Sequence, residues 1–330
     1  VIPAALVIAR YVLIAAAPLV AASVTAAIAF GGPSAPPPLE FVREATVERD
    51  RSDLPPLRHY RARDGADLAY RAYPAENPIG AAVLIHGSVG SSADVHEIAK
   101  ALRGAGISAY APDMRGHGAS GARGDIAYIG QLEDDLADFL TDLDRQGTPA
   151  KPVLIGHSAG GGFALRIAAR PLGQQFAGAI LLAPFLGDGA PTNRPGIGGW
   201  VGVGRPRIVA LSLLDEFGIH AFDGLPAVAF AVAARDAPYV TPVYSFRLAA
   251  NFGPDRDWHT DIAAARIPLV VLVGDRDQAF YPDRYPRALA AAPDARVEIL
   301  PGIDHMGISG DARALDAVVT RARQLLAVKR

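Results

Sequence analysis

Short apolar runs closed by turn residues alternate with helix-patterned stretches along most of this chain, and no other feature limits its fold so tightly. The runs are "AAVLIH" (Ala81 to His86), "SAYAPD" (Ser108 to Asp113), "PVLIGH" (Pro152 to His157) and "AGAILLAP" (Ala177 to Pro184). Helical patterns fall between and beside them, over about Ala93 to Gly104, Gln131 to Gln146 and Ala159 to Arg170. Such alternation predicts an α/β protein with a mostly parallel central sheet flanked by helices on both faces. Ahead of it, "HYRARDGADLAYRAY" alternates around Asp64-Gly65, the turn pair of a hairpin. After Pro184 the rhythm stops. It resumes with "PLVVLVGD" (Pro268 to Asp275), a helix near Tyr285 to Ala292, "ARVEILP" (Ala295 to Pro301) and a final helix from about Asp311 to Val328. Residues 187–261 therefore read as a cap inserted into a core formed by residues 39–186 and 262–330.

Half of the 330 residues are hydrophobic, enough for a large buried core. A formal net charge of -2, with basic residues scattered along the chain, gives no field for a phosphate backbone, so no nucleic-acid partner is expected. The absence of cysteine excludes disulfides, thiolate metal sites, iron–sulfur clusters and a cysteine nucleophile. The eight histidines show no H-E-x-x-H or paired-ligand spacing, and no phosphate-loop pattern occurs. Neither a metal nor a cofactor is expected.

The stretch from Tyr11 to Phe30, "YVLIAAAPLVAASVTAAIAF", carries no charge, follows Arg10 and is long enough to cross a bilayer as a helix. With Arg10 before it and Glu40 the next charge, it reads as an uncleaved anchor that leaves the rest of the chain outside the cytoplasm. Two other readings stand beside it: a signal peptide cleaved at Ala27-Ile28-Ala29, and a buried helix of a soluble protein. "GGPSAPPPL", Gly31 to Leu39, reads as a stiff spacer, so residues 1–38 form an anchor or signal segment with its linker.

Gly156-His157-Ser158-Ala159-Gly160 lies at the seam of a strand and a helix. Small residues on either side permit the strained turn that lifts a serine hydroxyl above a sheet edge, a nucleophile elbow. A serine hydroxyl needs a base, and the base needs an orienting acid. "PGIDHMGI" supplies His305 beyond the last strand, and "VGDRDQAF" supplies Asp275 and Asp277. Asp277 is the expected acid, because Asp275 directly follows the strand's Gly274 and two further residues carry the chain over the sheet edge. The expected catalytic set is Ser158, Asp277 and His305. The amide of Ala159 at the start of the new helix, and that of Ser88 after His86-Gly87, are the expected oxyanion donors. His86 and the His117 of "RGHG" read as loop-holding residues rather than second bases.

On the motifs "HGSVGSS", "APDMRGHGASG", "GHSAGG", "VGDRD" and "PGIDH", taken in that order, the segment from about Leu57 onward resembles the α/β-hydrolases. Within them it is most similar to the monoacylglycerol lipase, lysophospholipase and serine aminopeptidase group. The resemblance implies the same roles for Ser158, Asp277, His305, Ser88 and Ala159. It also implies an esterase or lipase acting on an apolar acyl ester, such as an acylglycerol or lysophospholipid. In one respect the chain departs from the group: monoacylglycerol lipases commonly have Met where Ala159 stands.

The insertion concentrates aromatics, Trp200, Phe217, Phe222, Phe230, Tyr239, Tyr244, Phe246, Phe252 and Trp258, which either line an apolar pocket or form the cap's own core. Three functions compete: an ester hydrolase; an aminopeptidase, thioesterase or perhydrolase on the same triad; and a non-catalytic binding member.

Overall fold

The structure is a computed structural model that describes residues 4–39, 50–148, 151–292 and 294–327, with the backbone alone for residues 4–16. The charged stretch at 40–49 and the side chains of Arg10 and Tyr11 lie outside the described residues. Eight strands form the main sheet: β1 (Arg58–Arg61), β2 (Asp67–Tyr73), β3 (Gly80–Ile85), β4 (Ile107–Pro112), β5 (Val153–His157), β6 (Gly178–Leu182), β10 (Leu269–Gly274) and β11 (Arg296–Leu300), in the order β1-β2-β4-β3-β5-β6-β10-β11. β1 and β2 form the antiparallel hairpin around Gly65, whose φ of 83° needs a residue without a Cβ. β2 also pairs antiparallel with β4, and all the remaining pairs are parallel. Strands β3, β5 and β6 are buried at every residue because helices cover both of their faces.

Those helices include α2 (His96–Gly104), α3 (Gln131–Arg145), α4 (Ala159–Ala169) and, at the far end of the chain, the C-terminal helix Ala312–Ala327, whereas the end of α1 (Ala4–Phe30) packs on the inserted segment. Alternate strand residues feed two cores. Val83, Ile85 and Leu154 face Phe139 and Phe163, while Leu84, Ile155 and Leu182 face Ile98, Leu102 and Val318. The helix expected near Tyr285 to Ala292 is shorter, a 3₁₀ turn at Pro282–Arg284 followed by Tyr285–Ala288.

The insertion folds as a small α+β cap. Strands β7 (Val201–Val203), β8 (Pro226–Phe230) and β9 (Val243–Ser245) form an antiparallel sheet. The four-residue helix α5 (Gly196–Gly199) precedes it, α6 (Arg205–Glu216) and α7 (Phe246–Asn251) complete it, and α8 (Trp258–Ala264) leads the chain back onto α4 of the core. Leu211, Ala227 and Phe246 form the cap's own small core, onto which Ile28 of α1 packs. Arg207 of α6 donates to the carbonyls of Ile28 at 2.8 Å, Ala29 at 3.2 Å and Pro226 at 2.7 Å, which ties the end of α1 to the cap. The segment after α1 lies against the cap as well: the amide of Leu39 donates to the carbonyl of Ala231 at 3.1 Å, and Gly202 is so close to the carbonyl of Ser34 that a Cβ would have no room. Among the residues with described side chains, no helix is long and apolar enough to cross a membrane.

Candidate active site

β5 ends at His157, and Ser158 follows with φ 52° and ψ -115°, a conformation costly for any residue with a Cβ. The turn closes only because its neighbours are glycines. A Cβ at Gly156 would sit 2.1 Å from the carbonyl oxygen of Gly160, and one at Gly160 would sit 2.2 Å from that of His86. Strain is held here because the site over-determines it: the amide of Ser158 donates to Leu182, and its carbonyl accepts from Gly162 and Phe185.

His305 and Asp277 converge on the serine. His305 Nε2 lies 3.2 Å from Ser158 Oγ, and His305 Nδ1 lies 2.8 Å from Asp277 Oδ2. The other carboxylate oxygen of Asp277 accepts from the amides of Ala279 and Phe280, each at 2.8 Å. Burial raises the Asp277 pKa, but the charge and hydrogen bond of His305, with those two amides, outweigh it and leave the carboxyl below its ordinary value. Asp275 turns away from the histidine: its carboxylate accepts from the amide of Gly302 at 2.6 Å and closes the turn between two strand ends. Asp304 likewise accepts from the amide of Gly307.

The two residues expected to supply oxyanion donors both lie beside the serine. Ala159 opens α4 beside Ser158, and Ser88 lines the same cavity with Gly87, Val89, His157 and His305. His86 is wholly buried and holds the loop, accepting the amide of Met114 at Nε2 and donating from Nδ1 to the carbonyl of Gly87 at 2.8 Å. Burial pushes its pKa down, and that of His117 further, with the nearby His86 adding to the effect, so both rings are neutral.

Sequence reasoning missed the residues that hold the histidine and acid loops. Gln278 accepts the amide of His305 at 3.0 Å, and His157 Nε2 donates to the carbonyl of His305 at 3.1 Å. Arg194, in the insertion, donates from Nε to the carbonyls of Asp277 at 2.9 Å and Phe280 at 3.0 Å. A polar residue next to each triad member was the only signal for the first two. Arg194 had none. Of the cap aromatics, Trp200 lines the cavity; Phe230, Tyr244, Phe246, Phe252 and Trp258 are buried; Phe217, Phe222 and Tyr239 are exposed. The cavity, about 40 Å³ to a water-sized sphere, has room for a few waters and is partly open to solvent. Among the described residues, one group has the geometry to hold a cation, Asp215, His220 and Asp223 on the cap, with ligand atoms within 4.8 Å of one another. None of the three lines the cavity.

The family described as serine aminopeptidase, S33, matches residues 76–309, which include every residue of this site. The chain belongs to that family. As an S33 member it has the α/β-hydrolase fold, and it superposes on a soluble variant of the monoglyceride lipase of Saccharomyces cerevisiae with a TM-score of 0.60, at 18% identity, over 86% of this chain and 98% of that one. It is 27% identical over 250 residues to a monoacylglycerol lipase of Mycolicibacterium smegmatis, covering 73% of this chain and 86% of the relative. A shorter match, 34% over 121 residues, is to the non-heme chloroperoxidase CPO-A1 of Kitasatospora aureofaciens, covering 37% of this chain and 42% of the relative.

Proposed function

We propose that this S33 hydrolase cleaves esters of apolar acyl groups, acylglycerols among them, through an acyl-enzyme on Ser158. The chain is a carboxylic ester hydrolase of the lipase and esterase kind. The observation that carries the proposed chemistry is the continuous relay from Ser158 Oγ through both nitrogens of His305 to Asp277. His305 takes the serine proton as Oγ attacks the ester carbonyl, and Asp277 holds the imidazole in the required tautomer and stabilises the imidazolium. The amides of Ser88 and Ala159 receive the negative oxygen of the tetrahedral intermediate. His305 then protonates the departing alkoxide, and water, activated by the same ring, releases the acid. No step requires a cofactor. The S33 family name and the chloroperoxidase relative favour amide cleavage and perhydrolysis as second readings on the same relay.

A fluorophosphonate probe should label the parent protein and leave Ser158→Ala unlabelled. A panel of p-nitrophenyl esters, aminoacyl nitroanilides and acyl thioesters should then show esters turned over fastest. Faster nitroanilide cleavage would move the reading to an aminopeptidase.

We also propose that α1 anchors the chain in a membrane with the catalytic domain outside the cytoplasm. The support is an α1 of 27 residues, about 40 Å long, uncharged from Tyr11 to its end, with Leu19, Val20 and Phe30 exposed. The adjoining α6 adds an exposed stripe of Val209 and Leu213, continued by Phe217 just beyond its end. Resistance of the full chain to carbonate extraction tests this. Release into the soluble fraction, or a mature terminus near Phe30, would overturn it in favour of a signal peptide.

A further inference from the structure

The loop after β3 carries no member of the relay, yet three residues of the cap hold it. Trp200 Nε1 donates to Ser88 Oγ at 3.1 Å, the amide of Thr241 donates to the carbonyl of Val89 at 2.9 Å, and the amide of Val89 donates to the hydroxyl of Tyr244 at 2.7 Å. Val89 is buried with φ 62°, a left-handed conformation that a β-branched residue adopts only under constraint. Tyr244 is 3% exposed and its ring packs edge-on against Phe230 and His117. Its hydroxyl has no freedom either. Having accepted from Val89, it donates to His117 Nε2, since the neutral His117 donates from Nδ1 to the carbonyl of Arg115 at 3.3 Å.

The two peptide planes that flank Ser88 are thus pinned from opposite sides. The plane containing the Gly87 carbonyl and the Ser88 amide is held by His86 Nδ1, within the core. The plane containing the Ser88 carbonyl and the Val89 amide is held by Tyr244, from the cap. With both fixed, the Ser88 amide has one direction, and donor direction at a developing oxyanion is worth more than donor presence alone.

On the ester-hydrolase reading above, we infer that Tyr244 is a positioning residue for catalysis: it clamps Val89 in its left-handed conformation and so aims the Ser88 amide at the carbonyl oxygen that Ser158 attacks. The cap thereby completes the oxyanion site as well as covering it, and chemistry is competent only when the cap is seated.

The test is Tyr244→Phe, which keeps the ring and removes the hydroxyl. Steady-state hydrolysis of p-nitrophenyl butyrate should lose about 10- to 100-fold in kcat, less than full removal of an oxyanion donor, with KM held within about twofold. Inhibition by butylboronic acid, whose adduct on Ser158 is a tetrahedral anion, should weaken by the same factor. Inhibition by pentanamide, a ground-state analogue, should not change. A merely structural loss would weaken both inhibitors or lower only the active fraction, which fluorophosphonate titration reads separately. A folded Tyr244→Phe with kcat and boronate inhibition within twofold of the parent overturns the inference. Should that variant not fold, His117→Phe, which removes the acceptor that orients the Tyr244 hydroxyl and lies outside the cavity lining, is read by the same criteria. A parent that neither cleaves the ester nor takes up the probe overturns the ester-hydrolase reading itself; an active parent matched by its variants overturns the positioning role alone.

Discussion

His157 and His305 lie at the ends of two different strand-to-loop transitions and are joined directly, ring nitrogen to backbone carbonyl, at 3.1 Å. Because a carbonyl only accepts, the proton sits on His157 Nε2. The bond ties the end of the nucleophile strand to the loop of the base, so the Ser158 to His305 distance is set from two sides. His157→Phe keeps the ring and removes the donor. One lost buried hydrogen bond is worth about 1 kcal/mol, so kcat should fall roughly five- to tenfold as the base loosens, with KM little changed. Matched kinetics of parent and variant check this; an unchanged kcat would mean that Gln278 alone holds the loop.

The two acids after β10 separate cleanly by partner. Asp277→Asn leaves the shape but removes the acceptor that fixes the His305 tautomer, and activity should fall by about 10³- to 10⁴-fold. Asp275→Asn touches only the turn bond to the Gly302 amide, so activity should stay within about threefold. Measuring kcat/KM for both variants decides it. Equal losses would show that the turn bond, too, sets the histidine loop.

What the sequence made legible follows from separation along the chain and from residue type. Ser158, Asp277 and His305 each stand just past an apolar run, so reading the strands locates the loops that carry them. Tyr244 gives no such sign: it lies 155 residues from the Val89 amide it holds, in a strand of three residues that no periodicity marks. The cap sheet escaped notice for the same reason, since β7 is "VGV" and β8 opens on proline. "GGPSAPPPL" has the composition of a spacer, and only the folded cap shows that part of it lies against β7 and Ala231.

Trp200 lines the cavity that Ser158 and His305 share, so an acyl chain bound along this wall meets its ring. In the neighbouring α5 (Gly196–Gly199), Ile197 and Gly198 lie at φ 50° and 65° rather than in helical geometry, which places Trp200 at the cavity wall. Trp200→Ala should therefore shift preference toward longer chains. Each methylene newly buried in the transition state adds about 0.8 kcal/mol, roughly fourfold in kcat/KM. A series of p-nitrophenyl esters from acetate to decanoate reads the shift as a ratio to acetate, which cancels any general loss. A ratio equal to the parent's at every length would place the acyl chain away from this ring.

Asp261, on α8, is buried beside Asp255 and accepts the amide of that residue at 2.7 Å. Burial pushes its carboxyl up to about 6; the Asp255 charge adds to this, while the Asp255 amide and Arg166 oppose it. Asp255 itself pairs with Arg166 at 3.1 Å and Arg170 at 2.7 Å, so the arginine charge is largely directed to the other carboxylate. A carboxyl with a raised folded pKa favours the fold while protonated. That contribution is fully present below the unfolded value near 4 and is lost as pH rises through about 6. Asp261→Asn mimics the protonated state and still accepts the Asp255 amide. The variant should match the parent in thermal stability near pH 4 and exceed it increasingly toward pH 7, with most of the divergence between pH 4 and 6. Thermal melts of both proteins across that range read the difference directly, free of the other carboxylates they share. A constant difference at all pH values would mean that Asp261 does not titrate in this window, and a less stable variant at pH 7 would mean that the ionised carboxylate is held by the arginines after all.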